Sequence, residues 1–235
     1  MRKSCFAITA AVLLLGAAAL LMGVHNRIFA DQVQTPAANA EVSTSPLELL
    51  MEGNQRFVQG TALNMDRDDA RRAELLTGQQ PFAVIVSCSD SRVPPELVFD
   101  QGLGRLFVVR LAGNIIDSAA AGSVEYAVEH LHVHLVLVLG HDQCGAVKAA
   151  IQGGSFSPEL QSVVDEITPA VQKARTLGGD LLENAINMNA ELQADKLSEL
   201  PAFKDEINQG QLQIVAARYE LESGKVDVLG TIPAE

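Results

Sequence analysis

Short continuous apolar runs alternate along this chain with longer stretches of helical period. Val84-Ile-Val86, the segment 106–110 and Leu135-Val-Leu-Val-Leu139 are rich in β-branched or aliphatic residues without polar alternation, as in strands buried on both faces of a parallel sheet. Between and after them, 119–131, 145–151, 158–175 and 180–193 read as helices. Upstream, Ser45-Pro-Leu-Glu offers an N-cap, a proline at the first helical position and an acid in the first turn, ahead of Leu47, Leu49, Leu50 and Phe57. A second helix is expected within 66–76, and Pro94-Pro95 sets a turn before a short helix at 96–99. At the end, 211–217 and 225–229 flank Glu222-Ser-Gly224 as a hairpin. Strands alternating with helices predict an α/β fold with a mostly parallel central sheet flanked by helices.

Two of the strands end in chemistry. Val84-Ile-Val86 runs into Cys88-Ser-Asp-Ser-Arg92, and if side chains go on alternating there, Cys88, Asp90 and Arg92 share one side and Ser89 and Ser91 the other. The third strand runs into Gly140-His-Asp-Gln-Cys144, where His141 and Cys144 are spaced to act together from one loop or first helical turn. Cys88, His141 and Cys144 make a soft donor set suited to Zn²⁺, with a fourth position left for water or for Asp90 in a closed state. By contrast, the glycines of Gln101-Gly-Leu-Gly104 lack the third glycine and helix of a nucleotide-binding loop.

Cys88-Ser-Asp-Ser-Arg92 and His141-Asp-Gln-Cys-Gly145 together resemble the β-class carbonic anhydrases. The resemblance continues through Leu106-Phe-Val-Val-Arg-Leu-Ala-Gly-Asn114, Ser123-Val-Glu-Tyr-Ala-Val-Glu-His130 and Ile214-Val-Ala-Ala-Arg-Tyr-Glu-Leu-Glu-Ser-Gly224. It implies one Zn²⁺ per subunit, a catalytic domain over 45–235, and an N-terminal helical arm that packs on a partner in a homodimer or higher homo-oligomer. It also implies that Gln79 hydrogen-bonds substrate oxygen, that Phe107 and Tyr126 line the CO₂ cleft, and that Gly145 lies beside the second cysteine ligand. Gln79 and Tyr126 would serve the neighbouring subunit's zinc. The family's regulatory bicarbonate pocket that uses a tryptophan is not expected, because the chain contains none.

The charge balance narrows the partners. With 17 basic and 29 acidic residues the chain carries −12, and without residues 1–30, which hold Arg2, Lys3 and Arg27 but no acid, −15. Such a protein is poorly suited to nucleic acid or to an anionic membrane surface, whereas neutral CO₂ needs no electrostatic steering. Residues 1–30 themselves read as a secretory signal: Arg2 and Lys3, an apolar run from Cys5 to Val24, and a small residue at Ala30 for cleavage. The same run is long enough to stay as a membrane anchor. Either way the catalytic part is exported, periplasmic or extracellular, or anchored facing the periplasm. Residues 31–44 read as a flexible linker. After cleavage only Cys88 and Cys144 remain, and bound zinc would shield both from oxidation.

Two thiolates and a neutral imidazole cancel the charge of Zn²⁺, so something else must compensate. Arg92 is permanently cationic, and by engaging Asp90 it would hold that carboxylate off the metal. Asp90 could then accept the hydrogen of zinc-bound hydroxide and aim its lone pair at carbon. Two readings compete with CO₂ hydration: attack on another heterocumulene, such as carbonyl sulfide or carbon disulfide, and a non-catalytic zinc-stabilised domain. The latter leaves Asp90, Arg92 and Gln79 unexplained. His130, His132 and His134 could hold a metal on one face of a strand, but a helix C-terminus and the turn after it account for them more simply. If a proton shuttle is needed, this group could supply it.

Overall fold

The computed structural model describes residues 45–233. The expected leader (1–30) and linker (31–44) lie outside the described residues. Helix α1 is Pro46–Val58 and α2 is Asp69–Glu74, which runs on into the 3-10 turn Leu75–Thr77. Strand β1 (Ala83–Cys88) is followed by α3 (Pro95–Val98), β2 (Leu106–Leu111), the 3-10 turn Ala112–Asn114 and α4 (Ser118–Leu131). Then come β3 (Leu135–His141), α5 (Gly145–Gln152), α6 (Pro158–Ala174), α7 (Leu181–Ser198), α8 (Pro201–Asn208), β4 (Gln213–Tyr219) and β5 (Val226–Thr231).

The strands form one sheet in the order β2-β1-β3-β4-β5. All neighbours are parallel except β4 and β5, which pair antiparallel as the hairpin expected at the end of the chain. Every residue of β1 and β3 is buried, which is why both read as unbroken apolar runs. Alternation divides them between two cores. Val84, Val86, Val136, Val138 and Ile214 pack with α4, α7 and α8, while Ile85, Leu135, Leu137, Leu139 and Val215 pack with Leu50 of α1 and with Phe99.

Helix α1 is started by a capping box, in which the Ser45 hydroxyl accepts from the Glu48 N–H and the Ser45 N–H donates to the Glu48 carboxylate at 2.7 Å. This part of the arm docks on its own chain. Leu50 is fully buried, and the Asn54 side chain bonds Val98 O, Gly224 O and the Val226 N–H. Gly53 is required there, because a Cβ would lie 1.8 Å from the Phe99 carbonyl oxygen.

Two helices depart from expectation, and the histidines follow the simpler of the two readings. Helix α8 was not anticipated, although Pro201 at its first turn and Phe203 and Ile207 four residues apart are its signal. Helix α7 runs five residues beyond 193, since Ala194 and Leu197 continue its buried face. The histidines do not share a strand face. His130 lies in the last turn of α4, and His132 caps it in the left-handed conformation (φ 55°). His134 bonds the Gln211 carbonyl through Nδ1.

Candidate metal centre

Neighbouring parallel strands bring the two motifs together. Ser87 of β1 pairs with Leu139 of β3, so Cys88 and His141 emerge side by side at the carboxyl edge of the sheet. Cys144 follows one turn on, at the N-cap of α5, where the N–H groups of Val147 and Ala146 approach its sulfur. The donor atoms of Cys88, His141 and Cys144 lie within 4.8 Å of one another, the only such cluster of three among the described residues. All three side chains are buried.

The donors fit a metal. His141 Nδ1 donates to the Asp142 carbonyl at 2.8 Å, which leaves the lone pair on Nε2. That Nε2 is buried and has no hydrogen-bond partner. A buried imidazole nitrogen without a partner is costly in a dry pocket, and a cation between it and the two sulfurs removes the cost. The Cys88 thiol is drawn below its ordinary range, chiefly by a hydrogen bond from Cys144, with the Gly113 N–H 3.2 Å from its sulfur. Cys144 is pushed up because its proton is the one in that bond. Gly113 sits at φ 70° with a Cβ position only 2.6 Å from Ile167 Cδ1, so this amide donor needs glycine.

Asp90 and Arg92 converge by a different route from strand alternation. Strand β1 ends at Cys88, and the chain turns so that Asp90 Oδ1 accepts from the Arg92 N–H at 2.9 Å. Two further bonds, Arg92 Nε to Oδ1 at 2.9 Å and Nη2 to Oδ2 at 2.7 Å, make the pair bidentate. The guanidinium holds the Asp90 carboxyl well below the usual carboxylate range. Asp90 Oδ2 nevertheless stands 3.8 Å from His141 Nε2, at the mouth of the donor cluster.

Arg110 and Asn189 support this loop system, and neither was anticipated. Arg110 Nε donates to Cys88 O at 2.9 Å and Nη2 to Asp90 O at 2.6 Å. A charged residue near the end of the otherwise apolar β2 was the available signal. Asn189 of α7 donates to Gly113 O at 2.8 Å, a contact across 76 residues that leaves no local trace. Replacing Arg110 by Met should destabilise the protein by roughly 2–4 kcal/mol, from two lost charge-assisted bonds. Denaturant unfolding would read this, and an unchanged midpoint would remove Arg110 as a brace.

A single chain does not gather the remaining expected residues. Gln79 is exposed ahead of β1, and the strand puts about 16 Å between that end and Cys88. Phe107 pairs with Val84, four positions before the Cys88–Leu111 pair. Tyr126 is 48% exposed and joins Phe107 (ring centroids 6.3 Å) and His130 (5.2 Å) rather than the donor cluster. Gly145 adjoins Cys144, and a Cβ there would meet open space.

Comparison with known proteins agrees with this architecture. Residues 83–226 match the carbonic anhydrase family model. Carbonic anhydrase 2 of Mycobacterium tuberculosis is 41% identical over 204 residues, spanning 82% of this chain and 99% of that protein. Among solved structures, the β-carbonic anhydrase CcaA superposes with a TM-score of 0.63 at 29% identity, covering 80% of this chain and 92% of that one. A tetrameric β-carbonic anhydrase of Sordaria macrospora shares the fold at a TM-score of 0.65 and 22% identity, covering 77% and 95%. The buried donor cluster falls inside the matched family region, and a relative aligns along nearly its whole length: this chain belongs to the carbonic anhydrase family, in its β class.

Proposed function

We propose that this protein catalyses the reversible hydration of CO₂ to bicarbonate and a proton, using one zinc ion per subunit held by Cys88, His141 and Cys144. The observation that carries the reading is the unpartnered, buried Nε2 of His141 facing two thiols, with an arginine-held carboxylate at the opening. The chemistry zinc supplies when bound is the acidification of water, so that a nucleophile is available near neutral pH. Arg92 keeps Asp90 ionised and, by bonding both carboxylate oxygens, holds it at the mouth of the donor cluster rather than within it, which leaves room for that water. Asp90, as an acceptor only, fixes where the nucleophile's hydrogen points and so where its lone pair points. The product proton leaves to solvent.

A homo-oligomer completes the site in this reading. Gln79 and Tyr126 are exposed and remote from their own chain's cluster, as residues that serve a second copy would be. Gln79 would bond a substrate oxygen, and Phe107 and Tyr126 would wall an apolar approach for CO₂. The signal-like 1–30 segment supports export of the catalytic domain.

Stopped-flow hydration by the zinc-loaded full chain across pH tests the function. Turnover that falls away on the acid side, at one zinc per chain, is the expected result. Zinc bound at the three donors with no CO₂ turnover at any pH would overturn it and favour carbonyl sulfide or carbon disulfide as substrate.

A further inference from the structure

His141 is oriented by a main-chain carbonyl, so its ring is only as well placed as the backbone of the loop 141–144. That loop is not relaxed. Gln143 lies in the left-handed region at φ 56°, an uncommon conformation for a residue with a side chain, and needs support from outside the loop. Strand β4 provides two supports. The Asp142 N–H donates to Tyr219 O at 3.0 Å, continuing the β3–β4 ladder past the pair His141–Tyr219. One residue earlier, Arg218 pairs with Gly140 and sends its guanidinium to the side chain of Asp142, with Nε 3.6 Å from Oδ1.

The guanidinium is anchored elsewhere at the same time. Nη1 is 2.5 Å from Glu183 Oε1 on α7, and Nη2 is 4.0 Å from Asp227 Oδ2 on β5. Its side chain is only 15% exposed, and Nε is buried with no hydrogen bond of its own. A planar fork held by a helix and a neighbouring strand is a fixed point on which a loop carboxylate can rest.

We infer that Arg218 is a positioning residue for His141: by holding the Asp142 carboxylate it keeps the Asp142 carbonyl on Nδ1, and hence Nε2 aimed at the metal. The inference rests on the zinc reading above. It gives the site two aspartate–arginine pairs with different tasks. Asp90 with Arg92 governs the opening, while Asp142 with Arg218 governs a ligand. Partners that orient a ligating imidazole typically change metal affinity or activity by about 10–100-fold when removed.

Zinc release into a colorimetric chelator tests this on the full zinc-loaded chain, with R218M, D142N, their double variant and R218K. The visible spectrum of the cobalt-substituted forms reports ligand geometry independently of activity. Release from R218M and from D142N should each be about tenfold faster or more. The double variant should release no faster than either single one, because all three lack the same contact. R218K should recover part of the loss, since the charge survives and the fork does not. Should R218M fail to fold, D142N against wild type still decides, because it removes the contact and leaves the arginine anchored. Wild-type release rates and unaltered cobalt spectra in the folded single variants would overturn the inference, as would effects that multiply in the double variant. A wild-type chain that binds no zinc would overturn the metal reading itself, and this inference with it.

Discussion

Replacing Arg92 by Gln is expected to leave one zinc per chain and to lower CO₂ turnover by about 100-fold or more, the scale of a misplaced reacting group. Arg92 is not one of the three donors and gives its hydrogen bonds to Asp90, so metal binding should survive. What is lost is control of Asp90, which takes three hydrogen bonds from Arg92. The pH dependence follows from the sign of its shift. Asp90 is depressed, so the stability of the pair is present above the ordinary carboxylate pKa of about 4 and is lost only as pH falls through the lowered value. Protonation of Asp90 is therefore not expected to set the acid limb of a wild-type pH–rate profile. Closure of Asp90 on the metal, expected from the Cys-x-Asp spacing, requires Arg92 to release it, and in Arg92→Gln nothing holds it back. Zinc coordination measured across pH should show an exchangeable water in the wild type near neutrality and a fourth protein ligand in the variant. Full turnover in Arg92→Gln would remove the dyad from the mechanism.

Replacing Cys144 by Ser should weaken zinc binding by about 10³-fold, one ligand's share of a typical zinc binding free energy. Turnover at limiting zinc should fall in proportion. Cys144 is 1% exposed and sits at the start of α5, where amides favour a thiolate and a neutral hydroxyl is a poor substitute. The two cores on either face of the sheet contain none of the three donors; Cys144 belongs to a third cluster with Val147 and Ile167, where serine is close in size, so the metal-free variant should still fold with some loss of stability. Competition against a chelator gives the affinity, and circular dichroism the fold. Wild-type affinity in Cys144→Ser would exclude Cys144 from the donor set.

Local signals account for much of what was legible in advance. The runs at β1 and β3 are unmistakable because both faces are buried, and a strand with no solvent side has no polar alternation. The donors were legible because they stand where those runs stop. The pairing of Asp90 with Arg92 is expected from strand alternation, whereas an Asp-initiated turn is what brings the two side chains together. Helix α8 was missed because a two-turn helix carries few periodic positions.

The chain by itself determines the α/β pattern, the order of elements and the residue types that can bind a soft metal, since each depends on neighbours within a few positions. Only the tertiary structure decides how they are held. The pairing of β1 with β3 puts Cys88 beside His141, 53 positions along the chain. Arg110 reaches back to Cys88 and Asp90 from the next strand, Asn189 supports Gly113 from α7, and Arg218 meets Asp142 from β4. These contacts join segments that no periodicity relates. Their geometry follows from strand register and helix packing, which are properties of the whole core rather than of any one stretch.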